Sequence, residues 1–150
     1  MDVSTYSARD QINLKLIIAL VRCTQSVHRR EAPVIHAAGL TMPQFGVLDF
    51  LYHKGDQKIC NIIERTLSTG GNMTVIIANL EKMGLVTRID DPADRRAKII
   101  SLTKEGQKVM GTLFPDHMAN LDEILSALTT AEKKQLIELA KKLGKGTSAE

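Results

Sequence analysis

The chain has little from which a catalytic or metal site could be built. It has 2 cysteines in 150 residues, Cys23 and Cys60, too few and too far apart for a disulfide framework or a metal site. Its 4 histidines include no pair at i and i+4, the spacing at which a helix presents two zinc ligands. No nucleophile elbow, paired-carboxylate site or dinucleotide fingerprint is present. The sequence therefore predicts no enzyme, no metal and no cofactor.

Aromatic residues and long apolar runs are also scarce. Aromatics make up 3% of the chain and Trp is absent, which weighs against modules that stack RNA or single-stranded bases on aromatic side chains. The most apolar run, residues 16–21, lies between Lys15 and Arg22 and falls short of the roughly 20 residues of a membrane span. The N-terminus does not start like a signal peptide. We expect a cytoplasmic protein with no membrane segment.

The composition that remains is typical of one globular domain. Hydrophobic residues make up 43% and charged residues 25%, with a net charge of +3, and a chain of this size buries about 68–70% of its unfolded surface. Such a mild positive charge is compatible with nucleic-acid binding without requiring it, so the distribution of charge must decide. With so few aromatics, duplex is the expected nucleic acid.

Apolar periodicity predicts helices along the first half of the chain. The first covers residues 7–35, with Leu16, Leu20, Cys23 and Val27 on one face and Pro33 expected to kink or end it. Thr41 and Gln44 have the spacing of a capping box. The helix that follows ends at Gly55 and is expected to face inward with Phe45, Leu48, Leu51 and Tyr52.

A short helix over residues 58–66 and another from Ser68 or Thr69 to about residue 83 come next, the latter with Met73, Ile76, Ile77 and Leu80 as its apolar stripe. Residues 85–89 and 97–102 are strand-like and their link is polar, which predicts a hairpin. After Thr103 the chain is helical, with a kink expected at Pro115. A second capping box, Thr129 to Glu132, begins a last helix expected to stop before Gly144.

Three short helices followed by a hairpin are the order of a winged helix-turn-helix. The predicted fold class is therefore mainly α with a small β-hairpin wing (α+β), in which residues 40–103 form the winged lobe. The helix over residues 69–83 is the candidate recognition helix, and the face opposite its apolar stripe carries Asn72, Thr74, Val75, Ala78, Asn79 and Lys82. Hydroxyl and amide groups suit base edges, and Val75 suits a thymine methyl. The alternative is an ordinary amphipathic helix with a solvated polar face.

The hairpin tip favours the DNA-binding interpretation. It carries Asp94, Arg95 and Arg96, and arginines on a thin loop can enter a narrow minor groove, where the potential is most negative. Asp94 would brace Arg96 through a charge-assisted hydrogen bond. The alternative is a solvated surface turn, which fits less well at the position of a wing.

Five stretches resemble the MarR family of repressors. They are residues 40–45 (LTMPQF), 68–74 (STGGNMT), 80–86 (LEKMGLV), 91–96 (DPADRR) and 101–106 (SLTKEG). The aspartate-x-arginine wing followed by serine-leucine-threonine is the most specific of them, while the flanking helices match in pattern only. The resemblance implies a homodimer joined by residues 7–38 and 104–146, within one MarR-type domain over residues 1–150. It also implies that Ser68 and Thr69 lie at the DNA, that Arg96 is the minor-groove arginine, and that Asp94 is its partner.

The resemblance further implies an effector, often phenolic or otherwise aromatic, bound between the dimerisation helices and the DNA-binding lobe. In this sequence that points to His28, Met42 and Phe45, although all three could simply pack the interface. We therefore expect a dimeric repressor of a pseudo-palindromic duplex site that a small ligand releases.

Two alternatives remain open. One is a repressor that senses oxidants through Cys23, although a thiol on the apolar stripe would be buried and behave as a small hydrophobe. Cys60 has only Glu64 as a charged neighbour at helical spacing and is expected to be structural. The other alternative is a winged-helix module for protein–protein contacts.

Overall fold

A computed structural model of the chain describes residues 6–66, 70–91 and 97–146. In these ranges the elements are α1 (Ala8–Ala37), α2 (Met42–Lys54), β1 (Gln57–Lys58), α3 (Ile59–Thr66), α4 (Gly70–Lys82), β2 (Val86–Asp90), β3 (Lys98–Leu102), α5 (Lys104–Ile124) and α6 (Thr130–Gly146). The predicted fold class, mainly helical with a small β-hairpin, is confirmed.

Both predicted capping boxes are formed. At the start of α2 the Gln44 backbone N–H donates to Thr41 Oγ1 (3.4 Å), and the Thr41 backbone N–H donates to Gln44 Oε1 (2.8 Å). At the start of α6 the same exchange joins Thr129 and Glu132, at 3.3 and 2.7 Å. These side chains satisfy amides that have no partner within the helix, so each helix begins where the sequence predicts.

Two helices, α1 and α6, end later than expected, and both Pro33 and Pro115 lie inside helices. α1 continues through Pro33 to Ala37 and is followed by Gly39, whose φ is +76°. Proline removes a single backbone donor, and the fully buried Ile35 holds the last turn of α1 in the core. α5 likewise runs through Pro115, and α6 includes Gly144 and ends at Gly146.

The hairpin is formed and is joined by a third strand. β2 pairs antiparallel with β3, from Val86 opposite Leu102 to Asp90 opposite Lys98. β1 pairs with the other edge of β3, so the sheet order is β1-β3-β2. The helix predicted from Lys58 therefore begins one residue later, because Lys58 belongs to β1. A two-residue strand is too short to show a period in the sequence.

The core lies inside the winged lobe and against α5. The predicted stripe of α4 is buried in full, and it packs with side chains from every neighbouring element: Ile35, Leu48, Leu51, Ile62, Ile100 and Met110. Tyr52, which was expected to face inward, is exposed, and its ring lies 6.1 Å from that of Phe114. That one expectation for α2 is wrong.

The outer helices leave apolar side chains uncovered by the described chain. α6 exposes Leu136, Ile137, Leu139 and Leu143, and the N-terminal half of α1 exposes Ile12, Leu16, Ile17, Ile18 and Val21. Of the predicted α1 stripe, Leu20 and Val27 are half-buried, whereas Leu16 and Cys23 are exposed. The winged lobe covers only the C-terminal end of α1.

Within the described ranges, no helix taken alone has both the length and the apolar composition to cross a membrane. α1 and α2 pass that test only when combined, across a bend of 78°. Four side chains of α2 are buried in the core of the lobe, as in any core helix.

Candidate nucleic-acid interface

The buried stripe of α4 fixes which side of this helix faces outward. Met73, Ile77 and Leu80 are fully buried, so the opposite side of the helix is turned away from the lobe. The polar and apolar candidates that the structure leaves exposed on α4 are Asn72, Thr74, Val75, Asn79 and Lys82, while Ala78 is half-buried. Val75 is 58% exposed, which is unusual for a valine.

Five other candidates fall outside the described residues. Ser68 and Thr69 precede the first described residue of α4, and Asp94, Arg95 and Arg96 belong to the hairpin tip. The roles assigned to these side chains stay predictions.

The last turn of α4 is tied to the hairpin. Gly84 adopts a φ of +72°, which glycine reaches without strain, and the chain turns from α4 into β2. There the Leu85 N–H donates to the Leu80 carbonyl (3.0 Å). Arg88 Nε of β2 lies 2.9 Å from Glu81 Oε2 of α4, and both side chains are half-buried. The candidate recognition helix α4 and the hairpin are thus connected by backbone and by an ion pair.

The base of the hairpin is closed by three contacts. The Asp91 N–H donates to the Ala97 carbonyl (3.2 Å), and Asp90 pairs with Lys98 across the strands. Asp91, only 4% exposed, also receives Lys58 of β1, with Nζ 2.6 Å from Oδ2. Sequence reasoning assigned Asp91 to a polar turn and missed Lys58, because nothing local indicates that this carboxylate is buried.

A cavity of about 1010 Å³ lies between α1, α2 and the start of α4. Its lining residues are His28, Met42, Pro43, Gly46, Asp49, Phe50, His53, Lys54, Arg65, Thr66, Asn72, Met73 and Ile76. Two of the three predicted effector residues, His28 and Met42, are therefore brought together at one cavity. Three lining residues come from α4 itself, so one wall of the cavity is formed by the candidate recognition helix.

Phe45, the third predicted effector residue, lies behind the cavity wall rather than in it. Its ring centroid is 4.7 Å from that of His117 on α5, and both residues are buried. The cluster continues through Phe114 to His53, which lines the cavity, with ring centroids 4.9 Å apart. Phe45 is therefore connected to the cavity only through its neighbours.

Charged side chains give the cavity a polar side. Lys54 and Arg65 contribute cations, and Asp49 Oδ1 lies 3.3 Å from His53 Nε2. Met42, Met73 and Ile76 add apolar side chains to the lining. Such a lining suits a planar guest that carries one acidic or hydroxyl group.

Comparison with known proteins identifies the family. The family model described as "MarR family" matches residues 40–98, which contain α2–α4 and β2 and end at the first residue of β3. The HTH-type transcriptional regulator MhqR of Bacillus subtilis is 36% identical over 132 residues, covering 88% of this chain and 91% of that protein. The chain belongs to the MarR family. It is therefore a DNA-binding transcriptional regulator with a winged-helix fold, and not an enzyme.

Solved structures of MarR-type regulators share this fold. Sco3205 of Streptomyces coelicolor, in complex with DNA, superposes with a TM-score of 0.84 at 22% identity, covering 96% of this chain and 94% of that one. BpsR of Bordetella bronchiseptica, whose DNA binding is regulated by 6-hydroxynicotinic acid, has a TM-score of 0.79 at 24% identity and covers 87% of this chain and 98% of that one. At these identities the likeness establishes the fold.

Both cysteines of this MarR-family chain are exposed, against the expectation that Cys23 is buried and Cys60 structural. Cys23 lies on the part of α1 that projects beyond the winged lobe. Among the described residues no group of three metal-ligating side chains is present.

Proposed function

We propose that the protein is a dimeric repressor that binds a pseudo-palindromic duplex site and is released from it by a small aromatic or phenolic ligand. The observation that carries this proposal is the shared wall between cavity and recognition helix: Asn72, Met73 and Ile76 of α4 line the cavity, while Thr74, Val75 and Asn79 of the same helix face outward. Anything that fills the cavity therefore touches the helix that meets the DNA.

In this proposal the outward face of α4 enters the major groove. Thr74 and Asn79 have hydroxyl and amide groups for base edges, and the exposed Val75 suits a thymine methyl. Lys82, Ser68 and Thr69 would contact the backbone. Arg95 and Arg96 at the hairpin tip, with Asp94 as the partner of Arg96, would enter the adjacent minor groove.

Dimerisation is supported by the apolar side chains of α1 and α6 that the described chain leaves uncovered. Large exposed apolar patches are typical of interaction surfaces, and a second copy would bury them. Residues 7–38 and 104–146 are accordingly proposed as the dimerisation helices. A twofold axis then places two recognition helices in half-sites about one helical turn apart.

The ligand proposal is supported by the chemistry of the cavity. Met42 and Met73 offer adaptable thioethers, His28 a polar anchor, and Lys54 and Arg65 a counter-charge for an acid. A related structure is that of a regulator controlled by 6-hydroxynicotinic acid, a planar acid of this kind. Because the effect is reciprocal, a ligand that weakens DNA binding must bind the DNA complex less tightly by the same factor.

The experiment begins with selection of bound duplexes from a random pool. We expect an inverted repeat, a steep dependence of affinity on salt, and dissociation by 6-hydroxynicotinic acid or a simple phenol. If the protein is instead a winged-helix module for protein–protein contacts, no duplex should be selected from the pool. Selected sites without a repeat would contradict the dimeric arrangement.

A repressor that responds to oxidation through Cys23 is the second candidate, favoured by the exposure of that thiol. Mild oxidant would then release the DNA from the wild-type protein but not from Cys23→Ser. If oxidant releases the complex and no aromatic compound does, this candidate replaces the ligand switch.

A further inference from the structure

We propose that the Lys58–Asp91 ion pair positions the hairpin for DNA binding, so that both are positioning residues rather than DNA contacts. The inference rests on the proposed function in one respect, namely that the hairpin tip touches DNA. It goes beyond that function by naming the groups that fix the direction in which the hairpin leaves the sheet.

The pair joins the two edges of the sheet across its middle strand. Lys58 belongs to edge strand β1, where it pairs with Ile99 of β3. Asp91 directly follows β2, the opposite edge, and its N–H donates to the carbonyl of Ala97, which precedes β3. The Lys58 side chain thus spans the end of β3 to reach the residue at which the hairpin tip begins.

Burial of the carboxylate distinguishes this pair from its neighbour, since the two lysines are almost equally exposed, Lys58 at 46% and Lys98 at 47%. The Asp91 side chain is 5% exposed, with Lys58 Nζ 2.6 Å away. The Asp90–Lys98 pair lies one residue earlier on the same hairpin, but both of its side chains are largely exposed. Water and salt weaken the attraction within an exposed ion pair. Removing the cation beside a buried carboxylate instead strongly destabilises the folded protein. Of the two ion pairs, the first therefore contributes more to holding the hairpin base in one geometry.

The pair complements the contact between α4 and β2. Arg88 and Glu81 attach the start of the hairpin to the recognition helix, and Lys58 attaches its far end to β1. A hairpin held at both ends keeps a fixed direction relative to α4. Backbone pairing of β3 with β1 and β2 remains without the second attachment, so we expect its loss to loosen the hairpin beyond Asp90 rather than to detach the sheet.

The direction in which one substitution changes DNA affinity tests the proposal. Asp91→Asn removes a negative charge close to DNA, so simple electrostatics predicts tighter binding. A positioning role predicts the reverse: affinity falls about fivefold or more, and the slope of log affinity against log salt flattens by about 1, because one phosphate no longer meets its cation. Asp90→Asn is the matched control and is expected to bind DNA at least as tightly as wild type.

A second pair of variants separates positioning from stability. Lys58→Met removes the cation that lies 2.6 Å from the buried Asp91 carboxylate and should lower the melting temperature. Lys58→Met combined with Asp91→Asn removes both charges and should recover it. We expect DNA affinity to stay low in that double variant. The separate variant Lys58→Arg keeps the cation and should bind DNA as wild type does. Hydrogen exchange at the amide of residue 91, which donates to the Ala97 carbonyl, should be faster in Asp91→Asn than in Asp90→Asn.

The proposal is overturned if Asp91→Asn binds duplex as tightly as wild type or more tightly. It is also overturned if the double variant regains affinity together with stability, since the pair would then act on folding alone. A wild-type protein that fails to bind duplex contradicts the proposed function and removes this inference with it. If the wild-type protein and Arg96→Ala bind duplex equally well, only the proposed contact between the hairpin tip and DNA is contradicted.

Discussion

A side chain on Gly106 would collide with the carbonyl oxygen of Leu85. Gly106 lies in the first turn of α5 and is buried, and a Cβ built on it would overlap this carbonyl. Thr103 holds the two segments together. Its N–H donates to the same Leu85 carbonyl (3.0 Å), and its hydroxyl donates to the Gly84 carbonyl (2.6 Å). The junction joins α5 to the turn between α4 and the hairpin.

Gly106→Ala should therefore destabilise the fold by about 1–3 kcal/mol, since the clash is with backbone that cannot move aside. Gly111→Ala in the same helix is the control. Its Cβ would meet only the Tyr52 hydroxyl, at 3.8 Å, so we expect a gain of about 0.5–1 kcal/mol from helix propensity. Urea unfolding of the two variants gives the comparison, and equal stabilities would refute this account of the junction.

The proposed dimerisation helices lead to a prediction about the oligomeric state. Ile137 of α6 is 51% exposed in the single chain, so Ile137→Asp should shift the protein from dimer to monomer by placing a charge in the interface. Val75→Asp introduces the same charge at a comparably exposed valine on the DNA face and should leave the dimer intact. Sedimentation velocity at micromolar concentration measures both, and a wild-type monomer would contradict the prediction.

The two parts of the DNA interface should respond differently to mutation. Thr74→Ala should relax base preference at particular positions, by about 1–3 kcal/mol for each good base interaction that is removed. Arg96→Ala should weaken binding to all duplexes and flatten the salt slope by about 1. Thr112→Ala, an exposed threonine of α5, serves as control. If Thr74→Ala and Arg96→Ala weaken specific and random duplex alike, the assigned roles are incorrect.

The cavity predicts which histidine matters for the ligand. His28 lines the cavity, whereas His36, further along α1, does not, although both histidines are exposed. His28→Ala should weaken binding of 6-hydroxynicotinic acid about threefold to tenfold, as expected when one hydrogen bond is removed, without changing DNA affinity in the absence of the ligand. His36→Ala should have no effect. Calorimetric titration measures the ligand, and equal affinities of both variants would contradict the assignment.

The lowered pKa of Glu132 predicts that the stability of the first turn of α6 depends on pH. The Thr129 backbone N–H and, secondarily, the Thr129 hydroxyl bond its carboxylate and hold the pKa of Glu132 below its ordinary value of 4.5. The lowered pKa means that this stabilisation is present above the unfolded-state value and is lost as pH falls through the folded-state value. Hydrogen exchange in the first turn of α6 should therefore show less protection below about pH 4.5. Glu132→Gln should abolish that change, and an unaltered pH profile in this variant would exclude the cap as its cause.

Much of the fold follows from local patterns in the sequence. The capping boxes at Thr41 and Thr129 and the buried stripe from Met73 to Leu80 depend on residues three or four positions apart. The turn at Gly84 needs only a residue that tolerates a positive φ. These signals do not depend on distant parts of the chain, and α4 with its buried stripe and exposed face was predicted from them.

The sequence by itself determined the order of helices and hairpin, the family motifs and the side chains that α4 turns away from its core. Tertiary structure decided the features that join distant segments. It placed Lys58 against Asp91, put Phe45 against His117 instead of in the cavity, and made Asn72 and Met73 part of the cavity wall. The physical reason is that a helical period reports which face of an element is buried, whereas the partner on the other side is set by packing between elements far apart in the chain.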